Sequence, residues 1–211
     1  MKRYNVCFLL LILFVYSCKK VEIPIDNGCI SYIKRHYING ADSLAAVKLL
    51  QQNNIPNSNL AYDRIILNDT VSNGSSTDIY QHIFAIQYFN NLPLFFSEIG
   101  YHFKNGVLQQ FYDTRYNSIT LNTIPRMTLP EVRKVYVDAL FNDGNTSFRK
   151  YKDTCLVAEF GYYNTNPSNP ANPQFIKAWY ITPKNSMYPM VILNDRTGQS
   201  ISYFDGIFFL D

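Results

Sequence analysis

The chain has 211 residues, a net charge of +3 and an aromatic content of 16%. Its length is enough for one large domain or two small ones with a real core. The nearly balanced charge argues against a nucleic-acid-binding protein, which needs a basic stripe, and the abundant Tyr, Phe and Asn favour a sheet-rich globular protein.

The first element in chain order is an export signal. Basic residues 2–3 precede an apolar run, residues 6–15, which is followed by Tyr16, Ser17 and Cys18. A basic start, an apolar centre and a small residue before the cut are typical of a secretory signal. The run is shorter than the ~20 apolar residues that a membrane-spanning helix needs, although an uncleaved N-terminal anchor is the alternative.

The end of this signal resembles the lipobox of bacterial lipoproteins, with Tyr16 larger than the residue usual at its position. The resemblance implies cleavage before Cys18 and acylation of Cys18 by palmitate-like chains, which hold a protein on a bilayer durably. It therefore predicts a signal peptide at 1–17, a lipidated tether at 18–40 and a place in the cell envelope. The expected membrane is the outer one, with the protein facing the periplasm or the surface.

Two cysteines, Cys29 and Cys155, remain after Cys7 is removed with the signal and Cys18 is acylated. Outside the cytoplasm such a pair can form a disulfide. Two independent buried thiols are the alternative. Two thiols alone do not have the spacing of a zinc site.

A first module is predicted at 41–116. Apolar residues at helical spacing predict a short amphipathic helix at 42–52. Alternating apolar residues and Asn- or Gly-containing turns then predict an antiparallel meander. Its strands are expected at 62–67, 79–89, 94–103 and 107–112, with a polar loop at 68–78.

A second module is predicted at 117–211. Thr128-Leu129-Pro130-Glu131 has the form of a capping box, and an apolar stripe continues the helix to Phe141. Strands follow at 155–163, 175–181, 189–193 and 200–204. The Pro- and Asn-rich segment 164–173 is predicted to be an exposed loop. The fold class expected from both modules is α+β, with antiparallel sheets and a few packed helices.

Two segments resemble a known pair of domains. Residues 87–107 read QYFNNLPLFFSEIGYHFKNGV, which resembles the central motif of the fungalysin/thermolysin propeptide (FTP) domain. Residues 178–181 read AWYI and residues 191–201 read VILNDRTGQSI, which is similar to the end of a PepSY domain. The resemblance implies an FTP-like first module and a PepSY-like second module.

In that family the two domains precede a metalloprotease, assist its folding and hold it inactive. This sequence contains no His-Glu-x-x-His, and its only histidines are His36, His82 and His102. The resemblance therefore implies a peptidase on a separate chain.

Catalytic motifs are missing from the sequence. It has no Gly-x-Ser-x-Gly elbow and no glycine-rich phosphate loop. His82, Glu98 and His102 are legitimate zinc ligands by type, but a slip of one residue in register would separate them. We predict ordinary polar packing there, and a protein with no enzyme activity, cofactor or metal.

The sequence thus predicts a non-enzymatic envelope lipoprotein that binds, and inhibits or chaperones, a secreted peptidase or a peptide segment. Contacts are expected at Asn91, Pro93, Phe95 and Phe96 and at the loop 164–173. One alternative is a glycan- or small-ligand-binding surface lipoprotein, since tyrosine-rich sheet faces stack on sugars. The other is a structural envelope protein.

Overall fold

The computed structural model of the protein describes residues 28–112, 114–144 and 146–206. The predicted signal peptide and Cys18 lie outside these residues. The predicted α+β class is confirmed: two mainly antiparallel sheets each carry one α-helix. In chain order the elements are β1 (Ile30–Tyr32), α1 (Ala41–Gln52), β2 (Leu60–Asn73), β3 (Ser76–Phe89), β4 (Leu92–Pro93), β5 (Ile99–Lys104), β6 (Val107–Tyr112), α2 (Leu129–Asn142), a 3-10 helix (Thr146–Asp153), β7 (Leu156–Asn164), β8 (Phe175–Pro183), β9 (Met190–Asn194) and β10 (Ser200–Phe204).

The first sheet has the strand order β2-β3-β5-β6, and the short β4 pairs with β3. Asn90 and Asn91, between β3 and β4, both have positive φ, at 49° and 69°. Asparagine tolerates this conformation, so the predicted turn is confirmed. Helix α1 buries Ala46, Leu49 and Leu50 against one face of this sheet.

The polar segment 68–78 does not form the predicted loop. It continues β2 and β3, whose pairing runs on to Asn73 opposite Ser76. Gly74 has a φ of 63°, which suits a tight turn at the tip of this hairpin. Polar residues are tolerated in these strands because the end of the hairpin is exposed to solvent. The polar composition of 68–78 therefore led to a wrong prediction of a loop.

The predicted strand 94–103 is interrupted. β4 ends at Pro93 and β5 begins at Ile99, with a loop at 94–98 between them. Ile99, Tyr101 and Phe103 of β5 belong to the same apolar cluster as the buried residues of α1. Phe95, which alternation assigns to the same core, belongs instead to a small cluster on the second sheet.

The second sheet has the order β1-β7-β8-β9-β10, with β1 parallel to β7 and the other pairs antiparallel. Helix α2 covers one face of this sheet and forms the largest apolar cluster of the protein. Thr128 and Glu131 form the predicted capping box at its start. The 3-10 helix that follows α2 was not predicted.

Residues 28–40, the described part of the tether predicted at 18–40, are part of the fold. Ile30–Tyr32 pairs with Leu156, Val157 and Ala158 of β7, and Ile38 bridges to Tyr62 in β2. A segment of three residues is too short to show a strand pattern in the sequence. These residues form a strand because they pair with β7. Because β1 precedes the first sheet but joins the second, the two sheets are not consecutive modules.

A disulfide joins Cys29 and Cys155, whose Cα atoms lie 4.3 Å apart. It connects residues separated by 126 positions and fastens the start of β1 to the start of β7. Both half-cystines are exposed, unlike the buried thiols of the alternative prediction.

Candidate functional site: an aromatic cleft between the sheets

A cleft of about 550 Å³ opens between the two sheets. Its wall on the second sheet includes Tyr163 of β7 and Tyr180 of β8. Its wall on the first sheet includes the loop 94–98, with Phe95, Phe96 and Glu98. The cleft lies on the face of the second sheet opposite to α2, so it is separate from the main core.

Side-chain and backbone hydrogen bonds fix the loop 94–98 to the first sheet. The Ser97 hydroxyl donates to the Leu94 carbonyl at 2.7 Å and accepts from the Gln87 backbone N–H at 3.2 Å. The Leu94 N–H donates to the Gln87 carbonyl at 2.8 Å. These bonds fix the loop to the end of β3, so the side chains it presents to the cleft are preorganised.

The same loop is also fixed to the second sheet. The Phe95 N–H donates to the Tyr162 carbonyl at 2.9 Å, and the Phe95 ring, only 7% exposed, packs on Ala178 and Ile192. Gly161 permits this approach, because a Cβ there would lie 2.5 Å from the Pro93 carbonyl oxygen and 2.8 Å from the Phe95 ring. The loop therefore joins the two sheets at the floor of the cleft.

Phe96 is the most unusual residue of the cleft. Its φ is +58°, a left-handed conformation that is rare for a bulky side chain, and its side chain is 63% exposed. Its ring lies 6.2 Å, centroid to centroid, from the rings of Tyr163 and Tyr180. A large apolar ring is thus held in solvent at a conformational cost, a combination that points to function.

A smaller cavity of about 180 Å³ is also lined by Phe96. Phe96 and Tyr163 line both cavities, and Pro167, from the segment 164–173, lines the smaller one. The structure therefore brings together the two segments at which the sequence predicts binding.

One ion pair, between a buried carboxylate and a partly exposed guanidinium, lies in the cleft wall. Glu159 of β7, only 2% exposed, accepts a hydrogen bond from the Arg35 backbone N–H at 3.0 Å. The Arg35 guanidinium lies 3.5 Å from the same carboxylate and 5.4 Å from the centroid of the Tyr180 ring. Burial raises the pKa of Glu159, and the hydrogen bond and charge of Arg35 oppose that rise.

Two more carboxylates, Asp63 and Glu98, line the cleft from the first sheet. The register of β2 shifts between Tyr62 and Arg64, so Asp63 is the extra residue of a bulge, and a bulge redirects a side chain. Both carboxylates are exposed. The lining of the cleft therefore combines aromatic rings with an excess of negative charge.

The four residues predicted to bind a partner have different surroundings. Phe96 and Asn91 are exposed, whereas Pro93 and Phe95 are buried. Phe95 lines the cleft although it is buried, whereas Pro93 is not one of the residues that line it. Sequence reasoning missed Arg35 and Glu159; a glutamate inside the apolar run of β7 was the available signal, because buried carboxylates need a partner.

The predicted histidine group is only partly brought together. His82 of β3 and His102 of β5 are direct cross-strand neighbours, with their Nδ1 atoms 2.5 Å apart, but Glu98 lies in the cleft lining. Burial, and then the charge of His82, lower the pKa of His102. Among residues 28–112, 114–144 and 146–206, no three His, Cys, Asp or Glu side chains could hold a metal together.

No helix within the described part of the chain is both long enough and apolar enough to span a bilayer.

No protein-family model matches the sequence, and no curated protein matches it. Among solved structures, the fold is similar to the Bacillus megaterium YpeB C-terminal domain. The match has 12% sequence identity and a TM-score of 0.38, and it covers 82% of this chain and 67% of that one. A likeness this distant carries no argument about function.

Proposed function

We propose that the protein is a non-enzymatic envelope lipoprotein that binds an extended peptide segment in the cleft between its two sheets. The observation that carries this proposal is Phe96, an exposed aromatic ring held at positive φ between two tyrosines. Strain of this kind costs on the order of 1–3 kcal/mol and persists where the surroundings impose it, which is common at ligand clamps.

The shape of the site supports a peptide as the occupant. Two cavities share the Phe96 and Tyr163 side chains in their linings. An extended chain places its side chains alternately, so neighbouring pockets suit it. Ser202 and Phe204 of β10 line the larger cavity, and β10 is the last strand in the described order of its sheet. Such an edge can accept backbone hydrogen bonds from an added strand.

The source of the peptide follows from the sequence resemblance. Propeptide domains of the family that the sequence resembles act on a peptidase, which supports a peptidase as the partner. The lipobox-like segment that ends at Cys18 would place the protein in the envelope, where secreted peptidases pass. The proposed partner is therefore a secreted peptidase or a peptide segment of one.

Photo-crosslinking from the cleft tests this function. The full chain is produced in a bacterial envelope with a photoreactive residue at Met187, which lines the cleft and is 69% exposed. An affinity tag is inserted at the Gly74 turn, because β10 lines the cleft. We expect a crosslinked polypeptide that mass spectrometry identifies as a peptidase or a peptide segment.

Two variants decide whether the crosslink reports the cleft. Phe96→Gly removes the ring and relieves the positive φ, so stability should change by less than about 1 kcal/mol while the crosslink is lost. Phe111→Ala removes an equally exposed ring on β6 and should leave the crosslink intact. A crosslink that survives Phe96→Gly, or that joins only glycan, would refute peptide binding in the cleft.

Membrane anchoring has a separate test. Cys18→Ser should abolish incorporation of labelled palmitate and release the protein from the membrane fraction. Palmitate labelling that persists in this variant would contradict lipidation at Cys18 and leave the cleft proposal unaffected.

A further inference from the structure

The charges that line the cleft are not balanced. Arg35 is its only lysine or arginine among the described residues, and three carboxylates, Asp63, Glu98 and Glu159, line the same space. Arg35 is engaged by Glu159 through both its backbone N–H and its guanidinium. One base and one acid are therefore already paired inside the wall.

Asp63 and Glu98 are less well compensated. Within the described ranges, neither carboxylate takes part in a hydrogen bond or an ion pair, and Asp63 acts on Arg35 only through its charge, which helps to raise the pKa of Arg35. Both are on the first-sheet side of the cleft, so a cavity with partly apolar walls concentrates their negative potential. An occupant with a positive charge satisfies them, whereas an acidic occupant is repelled.

The opposite wall suits the rest of a cationic side chain. Phe96, Tyr163 and Tyr180 present aromatic rings, and lysine and arginine lay their apolar stems along such surfaces while the charged end reaches a polar group. The cleft already contains this arrangement once, because the Arg35 guanidinium stacks 5.4 Å from the Tyr180 ring.

We infer that the cleft selects a peptide segment that carries a lysine or arginine side chain, with its stem against Phe96 and Tyr163 and its charge directed to Asp63 and Glu98. This inference rests on the proposed function and names the class of peptide that the site takes. A peptide, rather than a free amine, is the occupant because β10 offers backbone hydrogen bonds beside the same cavity.

Three synthetic peptides measure the selectivity. They are acetylated and amidated hexapeptides of alternating threonine and valine that differ at one central position, which is lysine, glutamine or glutamate. Calorimetry with the full chain in detergent should give the order lysine, glutamine, glutamate, with about fivefold between the first two, as expected for partly exposed charge pairs. The difference should shrink at high salt.

Charge variants assign the selectivity to the two carboxylates. Glu98→Gln and Asp63→Asn should each reduce the preference for lysine over glutamine, while affinity for the glutamine peptide stays constant. Asp69→Asn, which changes another exposed acid on β2, is the matched control and should keep the preference. Glu98→Lys should reverse it in favour of the glutamate peptide, a gain that an unfolded variant cannot produce.

The outcomes separate this inference from the proposed function. If all three peptides bind equally and binding still needs Phe96, the charge selectivity is wrong and peptide binding stands. If none of the peptides binds at millimolar concentration, both are wrong. If spermidine displaces the lysine peptide as well as unlabelled peptide does, the site takes free amines and the peptide assignment fails.

Discussion

Buried, hydrogen-bonded residues of the segments 87–107 and 178–201 and exposed residues that line the cleft differ in burial and in bonding. Gln87, Trp179 and Asp195, which we call the motif anchors, are buried and hydrogen-bonded. Phe96 and Glu98 in the cleft are exposed. The motif anchors hold the connector between β6 and α2 in place, whereas the exposed side chains of Phe96 and Glu98 make no such bonds to it. Exposure therefore separates the two groups even within the segment 87–107, which contains Gln87 as well as Phe96 and Glu98.

The two anchoring sites act on the same connector. The Gln87 side-chain amide donates to the Tyr116 carbonyl and accepts from the Tyr116 N–H, both at 3.0 Å. Asp195 accepts hydrogen bonds from the backbone N–H groups of Arg126 and Met127 and from the Trp179 indole. Gln87 of the first sheet thus binds the start of the connector, and Asp195, which follows β9 of the second sheet, binds its end.

The largest expected effect is the loss of the Asp195 carboxylate. Asp195→Ala leaves three hydrogen-bond donors without their acceptor in a site that is 1% exposed and removes the ion-pair partner of Lys177, whose ammonium lies 3.4 Å from the carboxylate. We therefore expect the free energy of unfolding to fall by about 3–5 kcal/mol. Urea denaturation followed by tyrosine and tryptophan fluorescence measures it. Glu98→Gln in the cleft should change the free energy of unfolding by less than about 0.5 kcal/mol. If both variants lost a similar amount of stability, the motif anchors and the cleft residues would not differ in their structural role.

The disulfide gives the next largest effect. Replacing Cys29 and Cys155 together by serine should lower the free energy of unfolding by about 2–4 kcal/mol, because the unfolded chain is no longer restrained. Arg133 donates from Nη1 to the Cys29 and Thr154 carbonyls, each at 2.8 Å, so β1 should stay in place. Amide exchange that becomes fast throughout β1 in the double variant would contradict this role of Arg133.

Gly161 combines the two roles, because it is a buried residue of the second sheet and also shapes the cleft. A substitution there should therefore affect both stability and binding. Gly161→Ala forces a methyl group against Pro93 and Phe95, and overpacking of this kind costs about 1–3 kcal/mol. Peptide binding should fall together with stability. Gly100→Ala is the matched control, because its Cβ would lie 3.4 Å from the Phe84 ring, an ordinary contact, and it should retain both.

The sequence predicted the elements whose signals are local. The capping box at Thr128 and Glu131, the turn at Asn90 and Asn91 and the hairpin at Asn105 and Gly106 depend on neighbouring residues only, and all three are present. The continuation of β2 and β3 through 68–78 was missed, because the pairing of two polar strands depends on their partners and not on their own pattern.

The cleft could be predicted only in part. The exposed position of Phe96 follows from a break in the strand after Pro93, which the apolar pattern concealed. The sequence shows Tyr163 and Tyr180 only as ordinary strand residues. No local signal predicts which face of a sheet is left without a helix packed on it. Arg35 was assigned to a tether, and its pairing with Glu159 spans 124 positions, a contact that only the folded chain creates.

The smallest predicted effect is on the pH dependence of stability, to which one titrating group in each sheet contributes. The pKa of Glu159 in the second sheet is raised, above all by burial, so the folded state retains its proton more strongly than the unfolded chain does. Its contribution to stability is complete below the ordinary glutamic acid pKa, about 4.3, and is lost as pH rises through the raised value. Glu159→Gln should remove this decline.

His102 in the first sheet predicts the opposite slope. Its pKa is lowered by burial and then by His82, so the unfolded chain takes up a proton first as pH falls. Its contribution is complete above the ordinary histidine pKa, about 6.5, and is lost as pH falls from there through the lowered value. Urea midpoints measured from pH 4 to pH 8 for the wild type, Glu159→Gln and His102→Gln, with His36→Gln as the matched control, separate the two contributions. A wild-type decline on acidification below pH 6.5 that persists unchanged in His102→Gln would show that this pair does not supply it, and the His82–His102 contact would then be packing without a role in the pH response.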